Sequence, residues 1–257
     1  MNGKTHAYLD LAADPAVGAV LLDPRPAFVF RGDGTGILWA NAAGVAFFGE
    51  AGMGALLDRR FSSSSPTTRS LARLAKTLPL DQPRLEILRF NFGVRQSALP
   101  SACRRLDLGG GARGVLAVGS TAANRESLST RAERLADAIA SDNCLVAILD
   151  RDARVLGASG GFDALAAASD AIDALVDEAA EGDRRVVRAA IAVSASDRPA
   201  GVARVAVGDE RLFLLIVGPE EARATPAGRS DAETAIAART TRRSPSAASS
   251  TSASIAS

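Results

Sequence analysis

Apolar residues in this chain fall into short runs separated by turn-forming residues, and one arrangement of those runs occurs twice. Residues 27–49 read AFVFRGDGTGILWANAAGVAFFG, and residues 145–168 read LVAILDRDARVLGASGGFDALAAA. Each passage is a β-type run, a polar turn carrying Asp, a second apolar run, a small polar residue, and a helix pattern built from small side chains. A strand–turn–strand–helix unit repeated within 257 residues predicts two copies of one small α+β domain rather than a single large enzyme core.

The first copy can be followed to its end. Ala27 to Phe30 and Ile37 to Ala40 read as strands around a hairpin turn at residues 32–36. Asn41 stands at the N-cap of a helix from Ala42 to Phe48, and Gly49 stops it. A short helix follows over Met53 to Leu57. Ser65-Pro66 then opens a helix whose Leu71, Leu74, Ala75 and Leu78 form one apolar face, ended by Pro79. Three strands close the copy: Leu85 to Phe92, Cys103 to Leu108 and Gly114 to Val118, the last two joined by Gly109-Gly110-Gly111. Two strands, a helical middle and three strands predict an antiparallel sheet with helices packed on one face. Ahead of it, in the segment 1–24, residues 17–22 read either as a helix or as an edge strand.

A connecting helix is predicted over residues 125–141. Thr130 and Glu133 fit a capping box, and a start near Ser127 fits as well. Leu128, Ala132, Leu135 and Ile139 fall at spacings of 4, 3 and 4, a short heptad-like seam. That seam is either a dimer and relay contact or a face packed on its own domain. The second copy then has strands at 145–149 and 154–158, and Ser159-Gly160-Gly161 opens a helix carrying Phe162, Leu165 and Ala166. More helix is read through Ile172, Leu175 and Val176, and again through Val186, Val187, Ala190 and Ile191. A hairpin of 201–207 and 211–217 turns at residues 208–210. This counts four strands against five, so the second copy reads as abbreviated. The expected organisation is an N-terminal segment 1–24, domain 1 at 25–120, a connecting helix at 121–142, domain 2 at 143–219, and a disordered Ala/Ser/Thr/Arg-rich tail at 220–257.

Composition narrows the function. Lys plus Arg number 30 against 29 Asp plus Glu, a net charge of +1. With no basic patch and few aromatics, no nucleic-acid partner is expected. The two cysteines, Cys103 and Cys144, form no CxxC pair and read as buried thiols. Neither a secretory signal nor a membrane-length apolar run is visible, so the expected location is cytoplasmic. The only histidine, His6, has no partners for a metal site, and no metal or cofactor is expected. Gly3-Lys4-Thr5 lacks the rest of a P-loop. No catalytic residue is assigned; with no histidine in either domain a base would have to be a carboxylate or a lysine, and Glu86 and Asp107 lie on predicted strands without alternation placing them face to face. Asp33 and Asp150 occupy equivalent hairpin turns and read as structural. Phe28, Phe30, Trp39, Phe47, Phe90 and Phe92 either line a cavity in domain 1 for a small apolar ligand or fill its core.

The order of elements, Asp33-Gly34 in the first turn, the strand Ile37-Leu38-Trp39-Ala40 leading to Asn41, and the helix from Ala43 to Gly49 together resemble a PAS domain. The resemblance covers residues 25–120 and, more loosely, 128–218. Tandem PAS domains of this Ala- and Arg-rich style look like the N-terminal sensory half of a bacterial PAS-containing sensor histidine kinase. That resemblance implies a regulatory, dimeric module in a two-component phosphorelay, which binds a small ligand or partner and passes a helix movement to a kinase core. The chain itself carries neither that family's phosphoacceptor His motif nor its ATP-binding boxes. A stand-alone PAS ligand-binding or interaction protein is the alternative.

Overall fold

The computed structural model describes residues 3–80, 82–92, 95–121, 126–140, 144–193 and 196–219. The expected tail at 220–257 lies outside the described residues. Two helices, α1 (Gly3–Ala12) and α2 (Pro15–Gly18), precede the first sheet. Asp14 caps α2 by accepting from Ala16 and Val17 N–H, with Pro15 at the first helical position. Of the residues 17–22, Val17 and Gly18 end α2 and the rest form turns, so the segment is neither an edge strand nor a helix along its length. Tyr8, Leu9, Ala12 and Val17 are buried, so hydrophobic burial holds it onto the fold.

The first half runs β1 (Ala27–Arg31), β2 (Ile37–Ala40), α3 (Ala42–Phe48), α4 (Met53–Asp58), α5 (Pro66–Thr77), β3 (Arg84–Phe92), β4 (Arg95–Asp107) and β5 (Arg113–Gly119). Its five strands are ordered β2-β1-β5-β4-β3, all antiparallel. Asn41 caps α3 by accepting from Gly44 N–H, and Gly49 ends it at φ 66°, a conformation that favours glycine. The α5 face forms as its spacing predicts, with Leu71, Leu74, Ala75 and Leu78 buried. Ser65 stands at its N-cap position without a capping side-chain hydrogen bond. The fourth strand is much longer than expected and starts at Arg95. Local apolar alternation is weak at residues 95–102, and pairing with β3 on one side and β5 on the other makes them a strand.

The second half repeats this plan. It comprises α6 (Leu128–Ile139), β6 (Leu145–Leu149), β7 (Val155–Ala158), a 3-10 helix (Phe162–Ala168), α7 (Ser169–Glu181), β8 (Val186–Val193), β9 (Ser196–Val207) and β10 (Glu210–Val217). Its sheet order, β7-β6-β10-β9-β8, is the same as the first. The expected count of four strands is therefore corrected to five. The helix read at Val186–Ile191 is β8, paired along its length with β9. Of VVRAAIAV, the three alanines and Arg188 suit a helix while the three valines and Ile191 suit a strand, and pairing with β9 decides for the strand.

Register confirms the duplication at the residue level. Phe28 pairs with Ala40 and Val29 with Trp39, with a bulge before the Phe30–Ile37 pair. Ala147 pairs with Ala158 and Ile148 with Gly157, with a bulge before Leu149–Val155. Asp33 accepts from the Thr35 N–H and hydroxyl in the first hairpin, and Asp150 from the Asp152 and Arg154 N–H groups in the second. Both carboxylates thus replace backbone partners in their turns. Asp33 titrates below its ordinary range, chiefly because of the Thr35 N–H.

Strand alternation sorts the second sheet into two cores. Ala147, Leu149, Val202, Phe213, Leu215 and Val217 pack with Leu165 of the 3-10 helix and with α7. Val146, Ile148, Val205, Leu212, Leu214 and Ile216 face the other way, into the core shared with α1, α2, α6 and the first sheet. The unbroken apolar run at Leu212–Val217 follows from this, because both faces of that strand are covered.

Candidate functional site

Alternation also decides the fate of the aromatic residues. Phe28 and Phe30 point to the helical side of the first sheet and meet Phe47 and Phe48 of α3 and Phe90 of β3. Phe92 joins through Phe47 and Phe48, and Phe61 through Phe30, Phe48 and Phe90. Ring centroids lie 5.2 Å (Phe48–Phe90) to 6.2 Å (Phe30–Phe61) apart, the range of favourable aromatic pairs. The interior between sheet and helices is thus occupied by the rings themselves. Arg59 closes one end of the cluster. Its guanidinium lies 5.2 Å from the Phe48 ring centre and 5.7 Å from that of Phe92, and it is paired with Glu50 at 2.5 Å.

Trp39 is not part of this cluster. Its partner in register is Val29, so it faces the opposite side of the sheet, where it stacks on Tyr8 of α1 at 5.8 Å. Reading the six aromatics as one group fails because parity cannot be carried across a bulged hairpin without knowing the register. Phe48 and Phe61, which the aromatic grouping missed, complete it; adjacency of Phe48 to Phe47 at a helix end was the available signal. Tyr8 donates its hydroxyl to the Ala40 carbonyl at 2.9 Å, and burial pushes its pKa well above the ordinary value. Trp39 Nε1 is buried with no hydrogen-bond partner.

The seam of the connecting helix is used inside the chain. Ala132 and Leu135 are fully buried, while Leu128 and Ile139 pack partly buried on the same core. Helix α6 lies on β6 and β7 and touches α3 and α4. A Cβ at Gly157 would sit 2.4 Å from Glu133 N and 2.7 Å from Ala132 C, so glycine is what lets the α6 backbone reach the sheet. Of the two readings of the seam, the described structure has the packed face; Leu135→Glu would report folding rather than association. The helix starts at Ser127, whose hydroxyl accepts from Thr130 N–H.

A concave site among the described residues lies where the α2–β1 linker, α3 and α6 meet. It is a cleft of about 200 Å³, lined by Leu21, Leu22, Pro24, Pro26, Ala42 and Phe47 among others. Glu126, Arg131 and Arg134 stand at its rim, together with Asp23. Asp23 is bonded to the Arg25 guanidinium at 2.6 Å, and that bond raises the Arg25 pKa. Arg134 holds both Glu126 oxygens at 2.7 Å. Arg131 donates to the Leu22 and Ser127 carbonyls. The linker itself is pinned by Asn41, which is fully buried. Its amide donates to the Val20, Asp23 and Arg25 carbonyls, and its oxygen accepts from Ala27 and Gly44 N–H.

The two strand carboxylates are engaged structurally. Glu86 pairs with Arg84 at 3.1 Å and Arg73 at 3.7 Å, and Asp107 accepts from Gly109 N–H in the glycine turn. Among the described residues no group of three or more His, Cys, Asp or Glu side chains could hold a metal ion. Cys103 and Cys144 are buried free thiols. Burial, with Glu86 nearby, pushes Cys103 up to about 12.

Two antiparallel sheets of identical strand order, each with its helices between the second and third strands, keep in both halves the element order on which the resemblance to PAS domains rests. No family model matches the chain. In sequence it is similar over 218 residues, 85% of its length, to the cell-division control histidine kinase PdhS of Brucella anthropi, at 24% identity. PdhS of Brucella canis is 22% identical over the same length. The chain spans about a fifth of those proteins, 20% in each case. Among solved structures, a sensor region of a sensor histidine kinase aligns over 86% of this chain and 93% of its own, at 13% identity and a TM-score of 0.33. The PAS domain of Bordetella pertussis BvgS aligns over 40% and 83%, at 20% identity and a TM-score of 0.28.

Proposed function

We propose that this chain is the sensory and regulatory module of a two-component histidine kinase, with domains at 25–120 and 143–219 joined by the segment 121–142. One observation carries the reading. A match of 218 residues in a chain of 257 must include strands of both sheets and the helix between them, and the protein it matches is a histidine kinase. The module acts conformationally: a ligand or partner that prefers one seating of α6 shifts the population towards it, and the kinase core reads the shift. It works as a homodimer in the cytoplasm, where two buried, unpaired thiols are compatible with a reducing milieu. No helix among the described residues is long and apolar enough to cross a membrane.

The test is kinase autophosphorylation, measured with the kinase core that this chain accompanies in its own cell, either in one polypeptide or as a separate partner. The expected result is a several-fold change in rate between the core alone and the core with the module. Equal rates, together with no physical association, would refute the reading. They would leave a stand-alone ligand-binding PAS protein, the alternative that the cleft favours.

A further inference from the structure

We infer that the cleft between the α2–β1 linker, α3 and α6 is a binding site for a small amphiphile with an alkyl body and one carboxylate. Its size comes first. About 200 Å³ is below the usual range for drug-sized ligands and suits on the order of ten non-hydrogen atoms. Its walls come second. Leu21, Leu22, Pro24, Pro26 and the alanines of α3 form an apolar floor, and Phe47 also lines it. An alkyl chain is the chemistry that such a floor takes from water.

Charge at the rim decides the head group. Asp23 is neutralised by Arg25, and Glu126 answers Arg134. Arg131 is bound to two neutral carbonyls, which orient its guanidinium without cancelling its charge. Among the described residues the rim therefore carries one positive charge beyond its internal pairs, beside a second guanidinium, Arg134, whose side chain is 45% exposed. A carboxylate lying between the two satisfies both. The location gives an occupant its consequence, because it touches α3 of the first half and α6 of the second at once. This site is distinct from the interior between sheet and helices, which the phenylalanine rings fill.

The probe is octanoate, with 1-octanol as its uncharged counterpart, titrated calorimetrically into the whole chain. Expected is saturable binding of one octanoate per chain, with octanol several-fold weaker. Arg134→Gln should weaken octanoate roughly tenfold and leave octanol unchanged. Ala46→Phe, at an exposed position on the cleft wall, should abolish binding of both. Unchanged Trp39 emission identifies variants that keep the fold, and Arg134→Gln at the surface serves if Ala46→Phe does not. The inference is overturned by an absence of saturable octanoate binding, by octanol binding as tightly as octanoate, or by affinities that folded variants leave unaltered. None of these measurements involves a kinase, so failure here leaves the regulatory reading standing.

Discussion

Asn41 makes five hydrogen bonds from a single buried side chain, and they join three pieces of chain. Its oxygen caps α3 and holds the start of β1, while its amide gathers the carbonyls that end the N-terminal segment. The second half does the equivalent work with less. Ser159 accepts from Val146 N–H, and its own N–H donates back to the Val146 carbonyl. Asn41→Ala strands two buried donors and takes that partner from the Asp23 and Arg25 carbonyls, while Val20 keeps the Asp23 N–H, so a loss of about 2–4 kcal/mol is expected. Urea unfolding measures it, and a loss below about 1 kcal/mol would mean that the linker re-pairs elsewhere. Cys103 gives the other prediction at this scale. Its thiol is harder to ionise folded, at about 12, than at its ordinary value of 9.0. A raised folded value means that the stabilisation is complete below pH 9.0 and fades as pH rises towards about 12. Tyr8 shifts in the same direction. Denaturant midpoints should hold steady to pH 9 and then fall, and Cys103 should resist alkylation in the native protein.

At the scale of elements, the two copies differ most where a helix meets the outer face of the sheet. Trp39 and Gly157 hold the same place in register. The first copy fills it with an indole under α1; the second leaves it bare so that α6 can lie directly on the strand. Gly157→Ala should therefore lift α6 and destabilise the fold by roughly 1–3 kcal/mol, the usual cost of overpacking. Thermal unfolding checks this, and Gly54→Ala, with open space around its Cβ position, is the control expected to lose nothing. The helix–strand miss at Val186–Val193 belongs to this scale too. Val187, Ile191 and Val193 are buried while Ala189 on the same face is exposed, so the period of two is broken by one alanine. A helical period then fits the residues equally well.

At the scale of the whole molecule, the N-terminal helices join the halves. Helix α1 packs against β2 of the first sheet and β9 of the second, and Asp10 pairs with Arg188 of β8 at 2.6 Å. Removing residues 1–12 should expose Trp39, the single tryptophan of the chain, and shift its emission to the red. It should also lower the stability of both halves together. An unshifted spectrum would show that the indole is covered without α1.

The sequence by itself determined the duplication, both hairpin turns with their aspartates, the cap at Asn41, the α5 face and the strands of the first sheet apart from the length of β4. Those features depend on residues close together in the chain, where turn chemistry, capping and periodicity act. Tertiary structure decided the rest. It made β8 a strand, sent Trp39 to the face opposite the phenylalanines, turned the α6 seam inward onto Gly157, and brought residues 21–26, 42–47 and 126–134 together as a cleft. Each of these depends on which face of a sheet a residue takes or on which distant element covers it. Register and long-range packing set both, and neither leaves a local pattern in the chain.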